Sequence, residues 1–272
     1  MGYLTTEKKK VTVKTFVEMK RDGNKIAMLT AYDYTTARLI DEAGVDSILV
    51  GDSASNVMLG NDSTLPITLD EMIVYARGVA RGCQRALVVC DMPFGSYQVS
   101  PEEGVRNAVR LIRETGVDAV KLEGGEEVAP TIERIVNAGI PVVGHLGLTP
   151  QSIHKFGGYG VRARSEVEAT KLIADAQALE KAGCFAVVLE KIPASVAQQV
   201  TDLLSVPTIG IGAGSHCDGQ VLVYADAMGL TQGFEPKFLR EFAAMGEELR
   251  RGVRAYYEAV KGDEFPNESE SY

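Results

Sequence analysis

Four apolar runs of this chain each finish on an acid. Ser47 to Ser53 reads SILVGDS and closes on Gly51, Asp52 and Ser53, Ala86 to Met92 reads ALVVCDM around Asp91, Ala119 to Gly124 reads AVKLEG and reaches Glu123, and Phe185 to Lys191 reads FAVVLEK around Glu190. A buried strand that delivers a carboxylate at its C-terminal end is how α/β enzymes build a site. Residues two apart in a strand share a face, so Lys121 points with Glu123, Val50 with Asp52 and Val188 with Glu190. Asp52, Asp91 and Glu123 come from consecutive runs, which as neighbouring strands lie about 4.8 Å apart. Three carboxylates that close repel each other unless a cation sits among them. All-oxygen ligation with no His or Cys nearby favours a hard ion, magnesium first. Lys121, inside an apolar strand, is costly to bury unless it meets an anion, and a substrate carboxylate would satisfy it. Glu190 belongs to a later strand, across the barrel from that trio and too far to share its metal. A carboxylate set apart in apolar surroundings suits a general base. The blander readings are that each acid caps the next helix or faces solvent, and that Glu190 pairs with Lys191.

Other candidates carry less. GIGAG, Gly210 to Gly214, either cradles a phosphate at a strand end or supplies the glycines that a narrow barrel wall wants, the second being favoured. His145 in PVVGHLGL reads first as a core histidine, with a role in orienting substrate left open. His154 and His216 lie in loops. Two long polar connections, Ala54 to Pro66 and the Gly-rich Thr149 to Arg164, are long enough to be lids that exclude water.

The elements that must position these residues alternate strand and helix. Thr12 to Asp22 has Val13, Phe16 and Val17 at helical spacing, a helix to plug one end of a barrel. Strand one is Ile26 to Thr30, and later strands are the runs already quoted, with Pro141 to Leu148, PTIGIGAG from Pro207 and QVLVYADAM from Gln220. Thr68 with Glu71, and Ser165 with Glu168, have capping-box spacing, and Ser100-Pro101 followed by two glutamates is a helix start. The triplets Glu42-Ala43-Gly44, Glu114-Thr115-Gly116, Asn137-Ala138-Gly139 and Lys181-Ala182-Gly183 each end a helix and lead to an apolar strand. Repeated βα modules with right-handed crossovers close into a parallel (β/α)8 barrel, with an open doubly wound sheet as the alternative. The weakest point is the short stretch between the last two runs, which has no room for a crossover helix. Beyond them, Phe238, Phe242, Met245 and Leu249 predict a helix over Pro236 to Val260.

At 272 residues the chain fits one such α/β TIM barrel domain spanning 1–272, with 1–10 and the acidic 262–272 flexible. Hydrophobic residues at 45% and charged residues at 24% supply a large core. A net charge of -9 argues against a non-specific grip on nucleic acid or anionic lipid, which leaves small molecules as partners. No run reaches membrane-spanning length, Cys83, Cys90, Cys184 and Cys217 form no CxxC pair, and the N-terminus does not read as a signal peptide, all of which fit reduced thiols in a cytoplasmic protein.

The run LTAYDYTTARLIDEAGVDSILVGDS, followed by VVCDMPFGSYQ, VKLEGG, GHLGLTPQS, VLEKIP and PTIGIGAG with CDGQVLV, resembles the ketopantoate (3-methyl-2-oxobutanoate) hydroxymethyltransferase family. The similarity runs from Ile26 to Gln232 in order. It implies a magnesium-dependent (β/α)8 enzyme of pantothenate biosynthesis that transfers a one-carbon unit from 5,10-methylenetetrahydrofolate to 2-oxoisovalerate, giving 2-dehydropantoate. By matched motif, Asp52, Asp91 and Glu123 belong to the metal, Asp52, Ser53, Asp91 and Lys121 to the oxo acid, and Glu190 is the proton acceptor. Family members form homo-oligomers, decamers in the bacterial type. Two rival readings remain: a metal-dependent 2-oxo acid lyase or mutase on a related barrel, and a non-catalytic barrel that binds a small acid. The lyases carry a reactive Cys in a lid, and no Cys lies between Gly95 and Gly183.

Overall fold

Each apolar run becomes a parallel strand, and the strands close on themselves in chain order. In the computed structural model, which describes residues 9–272, these are β1 (Ile26–Thr30), β2 (Ser47–Val50), β3 (Leu87–Asp91), β4 (Ala119–Glu123), β5 (Val142–Gly147), β6 (Ala186–Glu190), β7 (Thr208–Ile211) and β8 (Gly219–Leu222). β8 pairs back onto β1 with Val221 opposite Met28, so the sheet is a closed (β/α)8 TIM barrel and has no open edge. The expected looseness of residues 1–10 falls outside the described residues up to residue 8. The chain divides into two units, the first ending at Val223 and the second Tyr224–Tyr272.

In the first unit the helices are α1 (Val13–Arg21), α2 (Tyr34–Ala43), α3 (Ala54–Val57), α4 (Leu69–Gly82), α5 (Pro101–Thr115), α6 (Ala129–Asn137), α7 (Ile153–Phe156), α8 (Glu166–Lys181) and α9 (Ala194–Leu203). The glycines of the four repeated triplets, Gly44, Gly116, Gly139 and Gly183, all have φ between 81° and 99°. Only glycine reaches that left-handed conformation without strain, which is why it recurs where a helix must stop and turn into a strand. Thr68 and Glu71 form a reciprocal capping box at α4. At α8 only half of the expected box forms. Ser165 accepts from Glu168 N, but the Glu168 carboxylate is taken by Arg162 Nη2 at 2.5 Å.

The barrel interior is filled from its N-terminal end by Ile26, Met28, Leu49, Leu87, Val89, Ala119, Val143, Ala186, Val188, Ile209 and Val221. Phe16 of α1 joins this cluster and meets Phe185 edge-on at 5.8 Å, so the first helix does plug that end. Between β7 and β8 no helix intervenes, and residues 212–218 return the chain directly. Seven residues span up to roughly 23 Å, more than the ~13 Å rise of a four-residue strand, so the connection suffices. Gly210 permits the close wall here, because a Cβ on it would stand 3.0 Å from Cys217 Sγ and from Gln220 Nε2.

In the second unit, α10 (Tyr224–Ala227) takes over where QVLVYADAM was expected to continue as strand, and α11 (Met245–Lys261) begins nine residues later than the Pro236 start that spacing suggested. The reason lies in the backbone donors. Phe242 N, Met245 N and Gly246 N donate to the carbonyls of Ala227, Met228 and Gly229, which withdraws residues 242–246 from an earlier helical start. The acidic end holds one 3-10 turn, Glu268–Glu270, capped by Asn267.

Candidate active site

Along the inward faces of β3 to β6 the side chains change from apolar to ionisable towards the C-terminal end. Val89 gives way to Asp91, Ala119 to Lys121 and Glu123, Val143 to His145, and Val188 to Glu190. Register then sets these side chains beside each other: Asp91 opposite Lys121, Glu123 opposite His145, and Gly147 opposite Glu190. Asp52 follows β2 on the turn at Gly51, where a Cβ would meet Ser53 Oγ at 2.6 Å. The Asp52 N–H donates to Asp91 Oδ2 at 3.0 Å, and Ser53 Oγ lies 2.7 Å from the Tyr32 hydroxyl.

Lys121 Nζ is 3.0 Å from Asp91 Oδ1 and 3.0 Å from His145 Nδ1. Burial works hardest against its charge, yet Asp91, Glu123 and Asp52 together outweigh it and raise the lysine pKa. An ammonium can only donate, so His145 Nδ1 accepts and the ring proton sits on Nε2. That nitrogen is 3.3 Å from Glu190 Oε2. Burial first, and Lys121 second, push the His145 pKa down, which keeps the imidazole neutral. Burial also raises Asp52, reinforced by the charges of Asp91 and Glu123, and raises Asp91 against the pull of Lys121. For Glu123, burial wins over Lys121 and the pKa reaches about 7.

Asp91 Oδ1, Glu123 Oε1 and His145 Nε2 are buried without a well-formed hydrogen bond, three of the four such side-chain atoms among the described residues. The ion-pair distances to Asp91 Oδ1 and His145 Nε2 are short enough for attraction, but the angles are poor. Burying polar atoms without well-formed hydrogen bonds is costly even beside ion-pair partners, so their concentration at one place marks a site shaped for something else to bind.

The structure brings Asp52, Ser53, Asp91, Lys121, Glu123 and His145 together at the C-terminal mouth of the barrel. Glu190 is not set apart in apolar surroundings as expected. With its side chain 15% exposed, it is joined to the others through His145 on the intervening strand. Nor does it pair with Lys191, whose Nζ donates to the Tyr159 carbonyl at 2.5 Å. His216 lies in an exposed loop, whereas His154, expected in a loop, is an exposed residue of the short helix α7, and Gly214 packs against Ala194, as a wall glycine does. The two long connections meet, with Tyr159 OH 3.5 Å from the Asp62 carbonyl. Two residues went unread in the sequence, Gln151 and Tyr97, both buried within the site's hydrogen-bond network. Their only signal was position, one in a Pro-led 3-10 turn just after β5, the other in the loop after β3.

Among the described residues, no group of three or more His, Cys, Asp or Glu side chains could by itself hold a metal ion. Magnesium asks for less, one or two carboxylates with waters and substrate oxygens, and Asp91 Oδ1, ion-paired to Lys121, and Glu123 Oε1, 3.3 Å from His145 Nδ1, neither with a well-formed hydrogen bond, are hard donors of that kind. The donor set therefore fits a divalent hard cation. No helix among the described residues is long and apolar enough to cross a membrane.

A family model described as ketopantoate hydroxymethyltransferase matches residues 10–268. A protein of Flavobacterium johnsoniae named 3-methyl-2-oxobutanoate hydroxymethyltransferase is 59% identical over 264 residues, covering 97% of each chain. One of the same name from Parabacteroides distasonis is 60% identical over 98% of this chain and 97% of its own. Among solved structures, a phosphonopyruvate hydrolase in complex with oxalate and Mg++ superposes with a TM-score of 0.61 at 12% identity, over 95% of this chain and 92% of that one. A 2,3-dimethylmalate lyase does so at 0.58 and 18%, over 94% and 89%. At those identities the two structures speak for the fold alone.

Proposed function

The chain belongs to the ketopantoate hydroxymethyltransferase family and is a transferase, and from that membership we propose that it moves a one-carbon unit from 5,10-methylenetetrahydrofolate to 3-methyl-2-oxobutanoate, giving 2-dehydropantoate with magnesium at the barrel mouth. The observation that carries this reading is the chain of contacts from Asp91 through Lys121 and His145 to Glu190, at 3.0, 3.0 and 3.3 Å. Carbon three of a 2-oxo acid loses its proton only when the enolate charge is stabilised. Asp52, Asp91 and Glu123 would hold the magnesium ion, which when bound supplies Lewis-acid stabilisation of that charge. Lys121 offers a fixed positive charge to the substrate carboxylate, and Ser53, placed by Tyr32, offers a hydroxyl. Glu190 accepts the proton from carbon three, and His145 Nε2–H, facing the same carboxylate, orients it. The enolate carbon then bonds to the methylene carbon as one of that carbon's two bonds to folate nitrogen breaks, the nitrogen keeping the electron pair and taking up a proton. Water replaces the second nitrogen, which also leaves with its pair and gains a proton, and the oxygen of that water becomes the product hydroxyl. The family reading extends to assembly as a homo-oligomer, a decamer.

Purified protein incubated with magnesium, 5,10-methylenetetrahydrofolate and 3-methyl-2-oxobutanoate should yield tetrahydrofolate and 2-dehydropantoate in equal amounts. Binding of the oxo acid without turnover would overturn the proposal in favour of a small-acid-binding barrel.

A further inference from the structure

Gln151 is a neutral side chain, buried to 6% exposure, on which four separate segments converge. Its Nε2 donates to Asp52 Oδ2 at 2.9 Å and to the Met92 carbonyl at 3.0 Å, and its backbone N–H donates to Glu123 Oε2 at 2.9 Å. Its Oε1 accepts from Tyr97 OH at 2.7 Å and from Gln98 Nε2 at 3.1 Å. The Tyr97 hydroxyl accepts from Glu123 N at 3.1 Å and faces two acceptors, the Glu123 carbonyl at 3.1 Å and Gln151 Oε1 at 2.7 Å, the shorter contact being the one to Gln151. The amide cannot be turned over. A carbonyl at Met92 can only accept and an amide nitrogen of Gln98 can only donate, so the two ends of the side chain are distinguished by their neighbours.

The consequence concerns the free oxygens. Asp52 Oδ2 is committed to the Gln151 side chain and Glu123 Oε2 to its backbone N–H, while Glu123 Oε1, 3.3 Å from His145 Nδ1, has no well-formed hydrogen bond. A carboxylate on a strand end can rotate about its last bond, and a single fixed donor on one oxygen stops that rotation and aims the other. Because Gln151 carries no charge, it does this without neutralising either acid. A lysine in its place would cancel a charge that a cation needs, and a leucine would leave two buried oxygens unpaired.

We infer that Gln151 is a positioning residue that sets the affinity of the barrel mouth for a divalent cation, its side-chain amide holding one Asp52 oxygen so that the other is turned towards the site and tying the turn after β5, whose backbone holds Glu123, to the ends of β2 and β3. This rests on the reading of the site as a cation-binding hydroxymethyltransferase centre. Tyr97 acts one step further out, fixing the amide of Gln151 through its hydroxyl.

The test is direct Mn2+ binding to the full-length protein, followed by electron paramagnetic resonance and calorimetry, for wild type, Gln151→Met and Tyr97→Phe, with thermal midpoints recorded without metal. Removing a residue that orients a ligand typically costs about 10- to 100-fold in metal affinity. Gln151→Met is expected to lose affinity in that range and Tyr97→Phe to lose less, in the same direction, with the losses not tracking the change in thermal midpoint. Wild-type affinity in both variants, or losses that merely follow stability, would overturn the inference while leaving the cation site intact. Failure of the wild type to bind Mn2+ would instead overturn the reading beneath it. If Gln151→Met does not fold, Tyr97→Phe alone decides, because it leaves the Gln151 donors to Asp52, Met92 and Glu123 in place and removes the hydroxyl that fixes the amide oxygen and the Glu123 backbone.

Discussion

Glu123 shows how the site's chemistry enters stability. Burial carries its pKa from 4.5 to about 7, so the folded chain holds a proton that the unfolded chain gives up between those values. The contribution of this group is therefore present below pH 4.5 and is lost as pH rises through 7, the sign opposite to that of a salt-bridged surface acid. With chelator present, stability should fall between about pH 5 and about pH 7.5 by on the order of 3 kcal/mol more in wild type than in Glu123→Gln. Unfolding curves with equal pH dependence in the two proteins would contradict this. The acids themselves were legible, because Asp91 and Glu123 sit at strand ends, and Lys121 shares a face with Glu123 by the two-residue parity visible in AVKLEG. The link from Glu190 to the others was not, since it runs through His145, which reads from sequence as an ordinary core histidine. Gln151 was hidden for a related reason: a polar residue after a proline looks like any loop residue until the turn after β5 is seen to reach across the barrel mouth to Asp52.

The elements were legible where local chemistry decides them and obscure where it does not. Glycine stops, the Thr68 capping box and the Ser100-Pro101 start are each satisfied within a few residues of themselves, so the βα repeats announced the barrel. The start of α11 depends instead on Ala227, Met228 and Gly229 accepting backbone hydrogen bonds from residues well over ten positions later, which no helical spacing records. Spacing did find α1, and its Phe16 is 1% exposed in the barrel core against Phe185. Phe16→Ala should cost about 3–5 kcal/mol in urea unfolding, the usual price of an aromatic cavity. The site lies at the other end of the strands, so turnover of the folded enzyme should be unchanged. A loss of activity without a loss of stability would show that the plug does something other than fill the core.

At the scale of the molecule, α11 presents Met245, Leu249, Val253, Tyr256 and Val260 along one stripe, each at least 40% exposed. A helix with such a face left in water is unusual in a protein that stays monomeric, and association of copies is the reading proposed above. Leu249→Glu with Val253→Glu should lower the mass seen by analytical ultracentrifugation, and an unchanged mass would remove this face from the assembly. The barrel's own contribution is to carry one apolar core below and one ionisable layer above, and the proposed function has a proton leave carbon three of an oxo acid for Glu190 in that layer. That step can be isolated by omitting the folate and following exchange of the carbon-three hydrogen of 3-methyl-2-oxobutanoate with deuterium oxide by proton NMR, in wild type and Glu190→Gln with magnesium present. Exchange should depend on the enzyme in wild type and fall in Glu190→Gln by at least about 100-fold. Exchange at the wild-type rate in the variant would contradict a proton-accepting role for Glu190.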